Sequence, residues 1–218
     1  MRTPITVLFT ALLTLSLSTY CAGPVHLNVA QKLWVQFNES GAYKKTLAAD
    51  SRIATDYLQQ RIDNNTILHA PHQLAIVIAV NNVALNHYPS LLETQFTEDP
   101  QATLAAESQG IEPANGPIKK LYDYAIRNHV NVFVISSRHT EQRPSTLANL
   151  DRAGYKAITA SFLLPQNQPL SEFKAFATAK RKQITQSGND IVLNISASKA
   201  GLDGGYADRT VLLPRYRA

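Results

Sequence analysis

Segments of strand length that are rich in apolar residues recur along the chain and are separated by segments with helical periodicity. They cover residues 74–80, 130–135 and 191–195; the first is continuously apolar, and the other two each contain one asparagine. Apolar runs of this length are typical of strands that are buried on both faces of a parallel sheet. Two shorter strands are predicted at residues 155–158 and 210–213.

Between these runs, apolar residues recur every three or four positions, which is the spacing of one helix face. The pattern predicts helices over residues 28–37, 43–62, 118–128, 144–153 and 170–186. Strands that alternate with helices favour an α/β fold, here a doubly wound parallel sheet with right-handed crossovers. Residues 22–72 are predicted as an N-terminal helical segment, and residues 84–116 as a small insert that is rich in turns and has no strong period.

The first 21 residues have the pattern of a secretory signal. Arg2 precedes an apolar run over residues 5–17, which is shorter than the ~20 residues that cross a bilayer. Cys21 stands where a bacterial lipoprotein carries its acylated cysteine, but Tyr20 replaces the small residue that normally precedes it. Two fates remain open, ordinary cleavage near residues 19–22 and a lipid anchor on Cys21. Both predict an exported protein, periplasmic or secreted, whose residues 22–218 form a single domain without a membrane span.

Composition narrows the possible functions. Of the 218 residues, 44% are hydrophobic and 17% are charged, which is ordinary for a globular domain. The single cysteine excludes a disulfide framework and a cysteine-based metal cluster within this chain. The formal charge of +5 is not gathered into a basic stripe, so we expect no nucleic-acid partner.

Five segments carry a resemblance to a known family. They are residues 35–45 (VQFNESGAYKK), 74–89 (LAIVIAVNNVALNHYP), 132–138 (VFVISSR), 146–155 (TLANLDRAGY) and 201–214 (GLDGGYADRTVLLP). In this order they resemble the exported acid phosphatases of the haloacid dehalogenase (HAD) superfamily, subfamily IIIB, which include class B and class C enzymes and proteins like the plant vegetative storage proteins. The resemblance covers nearly the whole mature chain and implies a HAD-type, Rossmann-like sheet.

The resemblance implies a catalytic motif that this chain does not carry. Family members hydrolyse phosphate monoesters with an aspartate nucleophile and a second aspartate as general acid, in the pattern Asp-x-Asp-Glu-Thr after the first strand, and a magnesium ion neutralises the phosphoryl charge. The two aspartate positions correspond to Ala79 and Asn81 here. Ala79 has no nucleophilic atom, and the Asn81 amide cannot donate a proton as a carboxylic acid does.

The other family motifs are also altered. Ser136 fits the second motif, whose hydroxyl contacts phosphate, and Arg138 follows it. The lysine of the third motif aligns with Ala177, although a one-residue gap would bring Lys174 or Lys180 to that place. The acidic positions of the fourth motif are Ala197 and Gly201, and Lys199 between them opposes the binding of a cation.

Three functions are compatible with these residues. The leading hypothesis is a catalytically inactive phosphatase-like protein, a pseudophosphatase, that binds a small phosphorylated or other anionic ligand without a cofactor. Its predicted ligand-binding residues are Ser136, Arg138, Lys180 and Lys199. The second hypothesis is an active acid phosphatase that uses non-standard residues. The third is a structural role in the cell envelope, with an envelope protein as partner.

Overall fold

The centre of the molecule is a five-stranded parallel sheet. We describe it from a computed structural model that covers residues 28–68, 71–97 and 99–216. The strands are β1 (Gln73–Ile78), β2 (Asn131–His139), β3 (Ala160–Leu164), β4 (Asn189–Ser196) and β5 (Arg209–Leu212). Their order is β3-β2-β1-β4-β5, so the chain winds from the middle of the sheet to one edge and then to the other. The predicted doubly wound α/β fold is therefore confirmed.

Helices cover both faces of this sheet. They are α1 (Val29–Glu39), α2 (Ala42–Thr66), α3 (Tyr88–Glu93), α4 (Pro100–Gln109), α5 (Gly116–Arg127), α6 (Arg143–Arg152), α7 (Phe173–Gln186) and α8 (Lys199–Leu202). Alternate residues of β1 enter the two cores, Ile76 and Ile78 on the side of α2 and α5, Ala75 and Val77 on the side of α7. Because side chains alternate between the faces of a strand, a strand covered on both faces must be apolar throughout. Among the described residues, no helix is long and apolar enough to span a membrane.

Two of the predicted element positions are wrong. Residues 155–158 form no strand, and β3 lies further along the chain. Tyr155 is buried for another reason, because its ring packs on Tyr122 with centroids 4.8 Å apart and its hydroxyl donates to the Ala84 carbonyl. Helix α2 also runs past the predicted stop at residue 62, and the Asn65 side chain then bonds both backbone polar groups of His72, each at 2.9 Å.

The segment between β1 and α5 contains two short helices that the sequence pattern did not predict. Helix α4 begins in a standard way, since the Asp99 side chain accepts a hydrogen bond from the Gln101 amide at 2.9 Å and Pro100 occupies the first turn. Asn115 closes the segment by donating to the carbonyls of Val83 and Leu85. A hydrogen bond from Asn81 to Glu107 places the end of α4 beside the carboxyl end of β1.

The predictions for residues 1–21 and for Cys21 fall outside the described residues. No statement about the signal segment or its processing follows from the fold. The candidate site lies entirely within the described part of the chain.

Candidate functional site at the carboxyl ends of the strands

A cleft of about 220 Å³ opens at the carboxyl ends of β1, β2 and β4. Ligands of doubly wound folds bind at this edge, where the winding of the chain reverses between adjacent strands. The residues that line it are Ala79, Val80, Asn81, Asn82, His87, Leu91, Ser136, Ser137, Phe173, Ser196, Ala197, Ser198, Arg215 and Tyr216. Four positions singled out by the sequence meet here, namely Ala79, Asn81, Ser136 and Ala197.

Two serines occupy equivalent places on either side of β1. The Ser136 hydroxyl at the end of β2 accepts a hydrogen bond from the Arg138 amide at 3.1 Å. The Ser196 hydroxyl at the end of β4 accepts one from the Ser198 amide at 3.0 Å. In both turns the hydroxyl oxygen serves as acceptor, which leaves its proton to be donated. Ser196 was not predicted, because the family pattern has a glycine at its position.

Asn81 is held by two hydrogen bonds within the protein. Its side-chain oxygen accepts from Nε of Arg138 at 2.7 Å, and its side-chain nitrogen donates to a carboxylate oxygen of Glu107. Gln142 donates to the other oxygen of Glu107. The amide at the general-acid position therefore joins a cation to an anion and has no acidic proton to give.

Arg138 has a different role from the predicted one. Its side chain is only 1% exposed, and one of its terminal nitrogens forms a hydrogen-bonded ion pair with Glu112. Nε also lies 3.6 Å from Glu107. The guanidinium is engaged by two carboxylates and by Asn81 beneath the cleft, so we do not assign it to ligand binding.

Glu112 is the most heavily bonded acid of the site. It accepts from Arg138, from the Ser90 hydroxyl at 2.9 Å and from Nδ1 of His87 at 2.5 Å. Burial alone would raise the pKa of the Glu112 carboxyl, but the hydrogen bond from His87 and the charge of Arg138 outweigh it and lower the pKa. Glu112 is therefore ionised, and Nδ1 of His87 must be the donor.

The remaining predicted positions do not line the cleft. Lys180 stands beside two aromatic rings, with Nζ 5.2 Å from the centre of Phe162, and it donates to Gln183. Lys199 is exposed at the start of α8. Ala177 is fully buried in the core under α7, while Phe173, one turn earlier, is the residue of that helix that reaches the cleft. The fold therefore does not bring Lys180 and Lys199 into the cleft beside Ser136.

The second acidic position of the fourth motif has no room for a side chain. A Cβ atom at Gly201 would lie 2.5 Å from the Ser196 hydroxyl and 3.5 Å from the ring of Phe173. Contacts under about 3.0 Å are not found at real Cβ atoms, so a carboxylate here would displace Ser196. Ser196 and Phe173 thus fill the space into which an acid at this position would project.

The wall opposite α7 comes from the chain after β5. Arg215 and Tyr216 both line the cleft, and Tyr216 packs against Phe96 with ring centroids 5.0 Å apart. Within the described residues, Arg215 is the only lysine or arginine that lines the cleft. Neither residue was predicted, because they lie beyond the last family motif and show no periodic pattern.

The comparisons with known proteins agree with this picture of the fold. The family model for HAD superfamily, subfamily IIIB (acid phosphatase) matches residues 23–217. The chain belongs to this subfamily. Among curated proteins, none matches the chain.

Two solved structures of the same Bacillus anthracis enzyme type are similar to this subfamily IIIB chain. The class C acid phosphatase of that organism has a TM-score of 0.66 and 17% identity, over 85% of this chain and 84% of that one. The tungstate-bound form of the class C acid phosphatase has a TM-score of 0.60 and 19% identity, over 76% and 68% of the two chains. These likenesses concern the fold.

The donor set of the cleft does not fit the magnesium ion used in the HAD superfamily. Magnesium is held by carboxylates, usually with phosphate oxygens and water. The residues that line the cleft contribute hydroxyls, amides and an imidazole, and no carboxylate is among them. Throughout the described ranges there is also no group of three or more His, Cys, Asp or Glu side chains placed to bind a metal. We therefore derive no step through a metal ion.

Proposed function

We propose that this acid phosphatase-like protein binds a phosphorylated or other tetrahedral anionic ligand in the strand-end cleft and does not hydrolyse it. The observation that carries the proposal is the composition of the cleft. It keeps hydroxyl donors on both sides of β1, at Ser136 and Ser196, while no carboxylate lines it.

Hydrolysis by the family's route lacks its reacting groups. Ala79 supplies no nucleophile, and the Asn81 amide is bonded between Arg138 and Glu107. Uncatalysed hydrolysis of phosphate monoesters is so slow that enzymes accelerate it by up to about 10²¹-fold. A few hydroxyl groups and one arginine cannot replace a nucleophile, a general acid and a metal ion.

Anion binding needs only donors and a favourable charge. Hydrogen bonds to a charged group contribute about 1.5–3 kcal/mol each, more than those between neutral groups. The Ser136 and Ser196 hydroxyls have protons to donate, and Arg215 brings positive charge to the same cleft. The opening between these residues is polar and contains no carboxylate that would repel the ligand.

We expect purified protein to bind inorganic phosphate equally well with magnesium and with a chelator, as measured by isothermal titration calorimetry. Ser136→Ala should weaken binding by about tenfold, the loss of one hydrogen bond to a charged group. Ser171→Ala, an exposed serine outside the cleft, serves as the control and should bind as the parent does.

The same preparation distinguishes the alternative functions. Turnover of p-nitrophenyl phosphate that is abolished by Ser136→Ala would establish an active phosphatase and overturn the proposal. Absence of both turnover and phosphate binding would favour a structural role with an envelope partner.

Export is the second part of the proposal. The charged start, the apolar run over residues 5–17 and the small residues that follow support a cleaved signal. We expect mass spectrometry of the native protein to find an N-terminus within residues 19–23. A chain that begins at Cys21 with added lipid mass would establish the anchor, and an intact Met1 would contradict export.

A further inference from the structure

His87 is the one ionisable side chain that lines both the cleft and a second cavity beside it, within the described chain. The second cavity has a volume of about 440 Å³ and lies between α4 and the end of β2. Asn81, His87 and Ser137 border both spaces. His87 therefore stands at the junction, where a ligand in the cleft would meet it.

The imidazole is fixed in one orientation. Nδ1 donates to the ionised Glu112 at 2.5 Å, and Glu112 is itself held by Arg138 and Ser90. The described residues give no hydrogen bond to Nε2, and the side chain is 10% exposed. Since Nδ1 is engaged by the buried carboxylate and His87 lines both cavities, Nε2 is the ring nitrogen left to contact a ligand there.

The protonation state of His87 decides what the cleft presents to an anion. In the neutral ring Nδ1 carries the proton, so Nε2 offers a lone pair, which repels an anionic oxygen. In the imidazolium Nε2 carries a proton as well and donates to that oxygen. Histidine is the side chain whose ordinary pKa places this change between about pH 5 and 8.

The charges around His87 also make anion binding more favourable when the ring is protonated. Glu112 approaches from the segment before α5, Glu107 from α4 and Arg138 from β2, so two carboxylates face one guanidinium. With a neutral His87 this group carries one excess negative charge beneath the cleft, and protonation cancels it. Arg215 faces the cleft from the chain after β5, and Glu141 and His139 border the second cavity.

We propose that His87 couples anion binding in the cleft to the uptake of one proton, so that the protein takes up its anion in acid and releases it toward neutral pH. This inference rests on the proposed function, since it concerns the same ligand in the same cleft. It assigns to His87 a contact with the ligand and to Glu112 the role of positioning residue.

Sulfate is a suitable probe, because its own charge is constant over the range tested. We expect its affinity, measured by titration calorimetry from about pH 5.5 to about pH 8, to fall by up to about tenfold per pH unit, as uptake of one proton requires. Titrations in two buffers of different ionisation heat should show up to one proton taken up per sulfate bound.

Two variants and one NMR titration test the role of His87. His87→Gln cannot titrate and should bind sulfate with an affinity that does not change with pH, whereas His72→Gln, an exposed histidine far from the cleft, should keep the parental slope. Sulfate should also raise the pKa of the His87 ring, followed by NMR in the parent protein, which tests the claim even if His87→Gln does not fold.

The outcomes separate the two proposals. A parental pH slope in His87→Gln, or a His87 resonance that sulfate does not shift, would overturn the role of His87 while leaving anion binding intact. Failure of the parent protein to bind sulfate or phosphate at any pH would overturn the proposed function itself.

Discussion

Replacing Arg138 with methionine should lower the free energy of unfolding by about 3–5 kcal/mol, the usual cost of removing one partner from a buried ion pair. Arg138 is 2% exposed and Glu112 is 2% exposed, so the carboxylate left behind has no access to water that could solvate it. Glu107 and Asn81 would lose their link to the cation at the same time. Urea unfolding followed by circular dichroism measures the difference.

Two further variants show whether the charge or the packing is responsible. Arg143→Met removes an exposed arginine whose guanidinium bonds the Ser161 carbonyl and, among the described residues, no carboxylate, and it should change stability by less than about 1 kcal/mol. Adding Glu112→Gln to Arg138→Met removes the stranded charge and should recover part of the loss. If Glu112→Gln lowered the stability of Arg138→Met as much as it lowers that of the parent protein, the broken ion pair would not be the cause of the loss in Arg138→Met.

The ion pair between Arg138 and Glu112 also determines how the stability of the protein changes in acid. The pKa of Glu112 is lowered in the folded protein, chiefly because His87 and Arg138 outweigh the effect of burial. Its contribution to stability is therefore fully present above the ordinary pKa of 4.5 and is lost as the pH falls below it through the folded value. Sulfate titration of Glu112→Gln separates this effect on stability from the proton uptake that we assign to His87.

The strands were the most predictable part of the fold. The run over residues 74–80 is apolar on both faces, which is typical of a strand inside a covered parallel sheet. The prediction failed at residues 155–158, where Tyr155 is buried in the core by its contacts with Tyr122 and Ala84 rather than by a strand. One buried aromatic residue gives no periodic pattern, so the sequence does not distinguish a buried strand from a loop with one buried side chain.

In the cleft, the sequence predicts which residues lie at the strand ends, but it does not predict which partners their side chains contact. Ala79, Ser136 and Ala197 lie at or just after the carboxyl ends of three neighbouring strands, so knowing the sheet is enough to bring them together. Arg138 also lies near the end of a strand, but its side chain turns to Glu112, which lies in the turn-rich segment 84–116. Such a partner leaves no periodic signal, because a buried ion pair depends on where two distant segments meet.

Asn81 suits the charged residues that lie beneath the cleft. An aspartate at position 81 would place a second carboxylate beside Glu107, where the asparagine amide now donates a hydrogen bond. Like charges at that distance are unfavourable in a buried setting. Glu107 is therefore stabilised by the Asn81 amide, whereas an aspartate at position 81 would repel it. Restoring the family's aspartate alone would disturb the network that holds Arg138.

Arg181→Met should cost about 3–5 kcal/mol of stability, because it removes three buried hydrogen bonds from a charged donor and leaves the Gly205 carbonyl without its side-chain donor. Arg181 is fully buried in α7 and donates to the carbonyls of Gly201, Asp203 and Gly205. Burial lowers the pKa of this guanidinium despite the nearby charge of Asp203, which shows how poorly it is solvated. The arginine thus fixes residues 201–205, which follow Ser196 and include the fourth-motif position Gly201.

This prediction also joins stability to ligand binding. Gly201 packs directly under the Ser196 hydroxyl, so loosening of residues 201–205 should weaken sulfate binding as well as lower the urea midpoint. Lys182→Met, an exposed lysine one position along the same helix, should do neither and controls for the loss of charge. Hydrogen exchange should report faster exchange at residues 201–205 in Arg181→Met, with the β2 amides unchanged. Loss of protection throughout the sheet would instead mean that Arg181 supports the whole core rather than the wall of the cleft that Ser196 forms.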